Sequence, residues 1–99
     1  MGNKYRISII TVSYNAGKTI EQAIRSVVCQ TYDNIEYIII DGMSTDNTVD
    51  IIKKYKNNLF YWVSEKDCGI YDAMNKGIKA AGGDYVYFLG ADDCLFQKN

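Results

Sequence analysis

Residues 35–40 read Ile-Glu-Tyr-Ile-Ile-Ile, and this kind of run recurs along the chain with helical stripes between the copies. Residues 6–13, Arg-Ile-Ser-Ile-Ile-Thr-Val-Ser, are similarly rich in β-branched side chains. Such runs are too apolar to be half exposed and predict strands buried on both faces. Residues 59–63, Leu-Phe-Tyr-Trp-Val, and 84–89, ending Tyr-Val-Tyr-Phe-Leu, predict a third and a fourth. Between the first two, Ile20, Ala23, Ile24, Val27 and Val28 recur at helical spacing within residues 18–30. Val49, Ile51, Ile52 and Tyr55 form the inner face of a second helix, for which Ser44 to Asn47 offer N-caps. Residues 70–81 predict a third helix, closed by Gly82-Gly83.

Strand and helix thus alternate, β-α-β-α-β-α-β. The expected fold class is α/β: a three-layer αβα arrangement, Rossmann-like, around a mostly parallel four-stranded sheet. Its ligands would lie beyond the carboxyl ends of the strands, where strand order reverses. The chain has 99 residues, enough for one domain, and residues 1–99 are read as such.

Composition removes several function classes. There is no histidine, which excludes Ser-His-Asp and Cys-His catalysis within the chain. A net charge of −1 disfavours binding to nucleic acid through bulk positive charge. Cys29, Cys68 and Cys94 are widely spaced and make neither a disulfide framework nor a four-cysteine zinc site. Cys29 falls in the apolar stripe of the first helix and reads as a buried free thiol. Reduced thiols, no apolar signal region and no run of 18 apolar residues suit a cytoplasmic location. Neither G-x-G-x-x-G nor G-x-x-x-x-G-K-[ST] follows the first strand, which disfavours dinucleotide-binding and P-loop domains.

The carboxylates fall in a pattern. Asp41 follows the second strand, Glu65 and Asp67 the third, and Asp92 and Asp93 the fourth. A parallel sheet would gather them at one edge around a crevice. Clustered carboxylates repel, so a cation partner is expected, and oxygen-only donors favour Mg²⁺ or Mn²⁺. Each has a plainer reading: turn chemistry at Asp41-Gly42, a solvated loop at Asp92-Asp93, surface charge at Glu65 and Asp67. Asp46, Asp72 and Asp84 read as cap or surface residues. Tyr61 and Trp62 must point to opposite faces of their strand, and core packing is the simpler role for them.

Four segments in order carry a resemblance. They are Ile9-Ile10-Thr11-Val12-Ser13-Tyr14-Asn15, residues 36–48 around Ile40-Asp41-Gly42-Met43-Ser44-Thr45-Asp46, residues 67–78 from Asp67-Cys68-Gly69-Ile70, and Phe88-Leu89-Gly90-Ala91-Asp92-Asp93. Together they resemble the N-terminal half of family 2 glycosyltransferases of the GT-A fold, particularly bacterial enzymes of surface-polysaccharide assembly. The resemblance covers nearly all of residues 6–98.

It implies a truncated GT-A domain that holds the donor nucleotide. Thr11, Val12, Ser13, Tyr14 and Asn15 would wall the base and ribose. Asp41 would accept a hydrogen bond from the base. Asp67, with Gly69 beside it, would line the base and ribose side. Asp92 and Asp93 match the DXD-type motif, with Asp93 on the metal and Asp92 facing the ribose or the metal's waters. Met74 stands where many relatives carry an arginine, leaving Lys76 as a diphosphate contact or a solvated helix residue.

The implied reaction moves a sugar, with inversion, from a nucleotide-diphosphate-sugar such as a UDP-sugar to a carbohydrate or lipid-linked acceptor hydroxyl. The metal would be Mg²⁺ or Mn²⁺. In the family the base lies after the acidic pair, so no catalytic residue is nominated, and these residues alone are expected not to turn over. The place of work would be cytoplasmic or peripheral at the inner face of the membrane. The competing reading is a non-catalytic module that binds nucleotide or a partner and self-associates, as a homodimer, through an open sheet edge. A related nucleotidyltransferase is disfavoured, because Tyr14-Asn15-Ala16-Gly17 is not a Gly-rich phosphate loop.

Overall fold

The computed structural model describes residues 5–29 and 34–92. The elements run β1 (Ile7–Ser13), α1 (Ile20–Val28), β2 (Ile35–Asp41), α2 (Thr48–Lys54), a 3-10 turn (Lys56–Asn58), β3 (Tyr61–Ser64), α3 (Ile70–Ala80) and β4 (Tyr85–Phe88). This is the expected order. Most ends differ from expectation by one or two residues, within the fraying of element termini. The second helix, expected to run to about Asn57-Asn58, ends at Lys54 and gives way to the 3-10 turn.

The four strands lie in the order β3-β2-β1-β4, and every pairing is parallel. Two buried clusters sit on opposite faces. Ile9, Tyr37 and Ile39 pack with Ile20, Ala23, Ile24 and Val27 of α1 and Ile51 and Ile52 of α2. Ile10, Ile38 and Ile40 pack with Ala73 of α3. The period of two along β1 and β2 separates these sets. It explains why Ile38, Ile39 and Ile40 are all fully buried although consecutive.

The helices owe their place to packing. Seven residues of α2 are too few to be stable alone. Its first turn is held by Asp46, whose Oδ1 accepts from the Thr48 amide at 2.9 Å and whose Oδ2 accepts from the Gly17 amide at 3.0 Å. The adjacent Asn47 makes no side-chain cap bond, so among the expected caps Asp46 takes the role. Helix α3 buries only Ala73 and Gly77, small residues that let it lie close on β1 and β2.

Two expectations are corrected. Cys29 is exposed, because α1 ends at Val28 and the thiol sits past the last buried turn. β4 is exposed at all four residues, because α1 and α2 cover one face of β1 and β2 and α3 the other, and no other helix among the described residues covers this edge strand. Of the aromatic pair in β3, Trp62 packs on the core and Tyr61 is 43% exposed.

At the amino end of the sheet, register sets Ser8 beside Glu36. The Glu36 side chain is almost wholly buried. Its carboxylate accepts from Ser8 Oγ at 2.8 Å, the Gly82 amide at 2.8 Å and Arg6 Nη1 at 3.0 Å. Burial raises its pKa, but these three donors outweigh burial and hold it below its ordinary value of 4.5. A depressed folded pKa adds stability above the unfolded value and loses it as pH falls through the folded one. Glu36→Gln is therefore expected to destabilise the chain at neutral pH, with the difference closing in acid. Urea titrations at stepped pH check this; a gap that stays constant below pH ~4 would contradict it.

Candidate functional site

A cavity of about 740 Å³ opens at the carboxyl ends of β1, β2 and β3. Val12, Ser13 and Tyr14 line it from β1, Gly42 and Met43 from the turn after β2. Lys66, Asp67, Gly69 and Ile70 line it from the β3–α3 loop and the start of α3. Parallel pairing places these loops side by side, as expected for an open α/β sheet.

Two glycines shape the cavity. A Cβ on Gly42 would stand 3.0 Å from Asp67 Oδ2, so the missing side chain lets that carboxylate close in. Gly69 has φ +114, a backbone that side chains rarely adopt, and turns the chain into α3. Asp67 Oδ1 accepts from the Gly69 amide at 3.3 Å, and Asp72 Oδ2 accepts from the Cys68 amide at 2.9 Å.

Beneath the cavity lies a polar row. Register places Ser13, Asp41 and Ser64 side by side across β1, β2 and β3. Asp41 is fully buried. Its Oδ1 accepts from Ser13 Oγ at 2.7 Å and Ser44 Oγ at 2.6 Å. Its Oδ2 accepts from the Ser44 amide at 2.9 Å and Ser64 Oγ at 2.8 Å. This carboxylate ties together all three strand ends that carry the cavity.

The structure places the expected site residues as follows. Asp41 does not line the cavity, and both its oxygens accept from the protein's own donors. Thr11 is buried and bonds Tyr37 Oη at 2.7 Å on the α1–α2 face. Asn15 points its Oδ1 at the Thr45 amide, 2.8 Å away, and the Asp46 amide, 3.3 Å away, holding the β2–α2 loop. Of that segment Val12, Ser13 and Tyr14 reach the cavity.

The gathered carboxylates are dispersed as well. Glu65 pairs with Lys76 Nζ at 3.1 Å. Lys76 also reaches Asp72 at 3.7 Å and donates to the Lys66 carbonyl at 3.1 Å. Partial burial lowers the Lys76 pKa, but Glu65, Asp72 and Asp67 together raise it above its ordinary value. Lys76 thus clasps the β3–α3 loop and does not line this cavity. Asp92 is exposed on the turn after β4, away from the cavity lining. Its hard oxygens suit Mg²⁺ or Mn²⁺ in kind. Among the described residues, however, no group of three or more His, Cys, Asp or Glu could hold a metal ion. They do not make a complete site, and Asp93 lies outside them.

Sequence reasoning passed over Met43, Lys66 and Ile70 as cavity residues. For Met43 and Ile70 a signal existed, since each is a large apolar residue directly after a glycine at a strand-to-helix connection.

With this geometry in place, the profile of Glycosyl transferase family 2 matches residues 8–98. The chain belongs to glycosyltransferase family 2. It is 43% identical over 88 residues to the Escherichia coli UDP-Glc:alpha-D-GlcNAc-diphosphoundecaprenol beta-1,3-glucosyltransferase WfaP, covering 88% of this chain and 35% of that protein. The crystal structure of S. aureus TarS 1-349 in complex with UDP-GlcNAc is similar at TM-score 0.83 and 30% identity, over 90% of this chain and 27% of that one. The mannosyltransferase PcManGT from Pyrobaculum calidifontis, in complex with GDP-Man and Mn²⁺, is similar at TM-score 0.82 and 26% identity, over 91% of this chain and 28% of that one. The chain therefore has the GT-A architecture of family 2 transferases and spans about a third of the length of the curated relatives it matches. No helix among the described residues is long and apolar enough to cross a membrane.

Proposed function

We propose that residues 1–99 are the donor-nucleotide-binding half of a family 2 glycosyltransferase domain, whose acceptor half is supplied by other sequence. The reaction is transfer of a sugar, with inversion, from a nucleotide-diphosphate-sugar to an acceptor hydroxyl in cell-surface polysaccharide assembly. A UDP-sugar is the favoured donor, supported by the UDP-linked donors named for WfaP and for the TarS complex. A carbohydrate or lipid-linked acceptor is supported by the diphosphoundecaprenol in WfaP's name. The same reading puts the site of action in the cytoplasm, peripheral at the inner face of the membrane.

The observation that carries this reading is the cavity at the ends of β1, β2 and β3, with an apolar wall and Asp67 beside it. Val12 and Tyr14 offer faces for a planar base. Ser13 and Asp67 offer hydrogen-bond partners for base and ribose. Burial of the donor there excludes water from its base. The ion of this reading is Mg²⁺ or Mn²⁺ at Asp93, with Asp92 beside it, where it would neutralise charge on a leaving diphosphate.

Calorimetry with UDP tests the reading. The folded chain is expected to bind UDP, more tightly with Mn²⁺, and Asp93→Ala is expected to lose the metal enhancement while keeping metal-free binding. A second reading, a self-associating non-catalytic module, is favoured by one observation: Tyr85, Val86, Tyr87 and Phe88 of the β4 edge are all exposed. A folded chain that ignores nucleotides but sediments as a homodimer would select it and overturn the first.

A further inference from the structure

Among the described residues, two other than glycine have positive φ, Asn15 at 49° and Met43 at 64°. Asparagine tolerates this region because its short polar side chain bonds locally, as Asn15 does here. Methionine has no such compensation, and a bulky residue in this conformation is an outlier. The backbone on either side of Met43 is held by hydrogen bonds. The Gly42 amide donates to the Ser13 carbonyl at 2.9 Å, and the Ser44 amide donates to Asp41 Oδ2 at 2.9 Å. Glycine would take this position without strain.

Packing within the protein does not offset the strain, since Met43 is 57% exposed. What it does is line the cavity. Tyr14 and Ile70, on the other loops of that cavity, are 63% and 62% exposed. Three large apolar side chains from three separate loops thus converge on one opening while remaining accessible. Exposed apolar groups so gathered mark a surface that waits for an apolar partner. Of the three, only Met43 holds an unfavourable backbone to be there. Its unbranched thioether adapts its shape and makes favourable contacts with aromatic rings.

We propose that Met43 is the contact residue that sets affinity for the donor's base, its thioether packing on the flat aromatic ring. This rests on the nucleotide-binding reading above. The left-handed backbone directs to the ligand a side chain that contributes little to the free protein.

Opposite effects on stability and binding test it in the full chain. Met43→Gly is expected to leave stability unchanged or raised, because the strained conformation suits glycine. It is expected to weaken UDP roughly tenfold, the scale of losing one sulfur–aromatic contact and its buried surface. Met43→Ala keeps the strain and loses the contact, so it should bind as weakly as the glycine variant while being less stable than it. Uridine, which has the base and no phosphate, should weaken by the same factor as UDP. Equal UDP affinity in wild type and Met43→Gly, or a loss confined to UDP and absent for uridine, would overturn the role of Met43. Failure of the folded wild-type chain to bind any of UDP, GDP or ADP would instead overturn the nucleotide reading and this proposal with it.

Discussion

Replacing Asp41 with alanine is expected to cost about 3 kcal/mol or more of folding stability, a large share of the roughly 5–15 kcal/mol that holds a typical domain. The Asp41 carboxylate is fully buried and accepts from Ser13 Oγ, Ser44 Oγ, the Ser44 amide and Ser64 Oγ. Alanine leaves those donors unsatisfied where little water can reach them, and each such group is costly. Asp41→Asn is expected to cost far less, about 1 kcal/mol. Its amide oxygen can take the place of Oδ2, facing the Ser44 amide and Ser64. Its NH₂ can take the place of Oδ1, facing the Ser13 and Ser44 hydroxyls, which are free to rotate and accept. Urea denaturation of both variants decides the matter. If asparagine were as damaging as alanine, the negative charge rather than the hydrogen-bond count would be what the site requires.

The second large effect is expected at Gly77. A Cβ built there would lie 2.5 Å from Ile10 Cγ2 and 3.2 Å from Ile10 Cδ1. Ile10 is fully buried in β1 and has nowhere to move. Gly77→Leu should therefore push α3 off the sheet at a cost of about 3 kcal/mol, the upper end of ordinary overpacking. The N-terminus of α3 carries Ile70, so the cavity should open and nucleotide affinity fall as well. Gly77→Ala gains about 1 kcal/mol of helix propensity, and that gain should be outweighed by the same clash. Combining Gly77→Ala with Ile10→Ala tests the cause. The new methyl would occupy space vacated by the isoleucine, so the double variant should be less unstable than the sum of the two singles. Simple additivity would mean that Gly77 matters for its backbone and not for the close approach.

Both cases show which parts of this molecule were legible in its sequence. The isoleucine runs of β1 and β2 and the spacing of Ile20, Ala23, Ile24 and Val27 announce elements whose partners lie along the same short segment of chain. Period and propensity are local properties, so the element order, the parallel sheet and a cavity at the strand ends could be read directly. The motifs around Thr11–Asn15, Asp41–Asp46, Asp67–Gly69 and Asp92–Asp93 led to the correct family for the same reason.

Roles within the site were not legible in the same way. Asp41 and Asp67 are both acidic residues just past strand ends, and nothing local separates them. Register decides: it places serines on both sides of Asp41 and buries it, while the missing side chain of Gly42 admits Asp67 to the cavity. Glu65 and Lys76 lie eleven positions apart and meet only because α3 turns back across the sheet to pack on β1 and β2. The exposure of β4 depends on which strands the helices cover, a fact about layers and not about the run Tyr-Val-Tyr-Phe.

The sequence by itself therefore determined the fold class, the family and the end of the sheet at which the cavity opens. Each follows from apolar periodicity or from residues adjacent in the chain. Only the tertiary structure decided which of the acidic and polar residues face the cavity and which brace it from beneath. Burial and hydrogen-bond partnership are properties of pairs brought together across strands, and a linear pattern does not contain them.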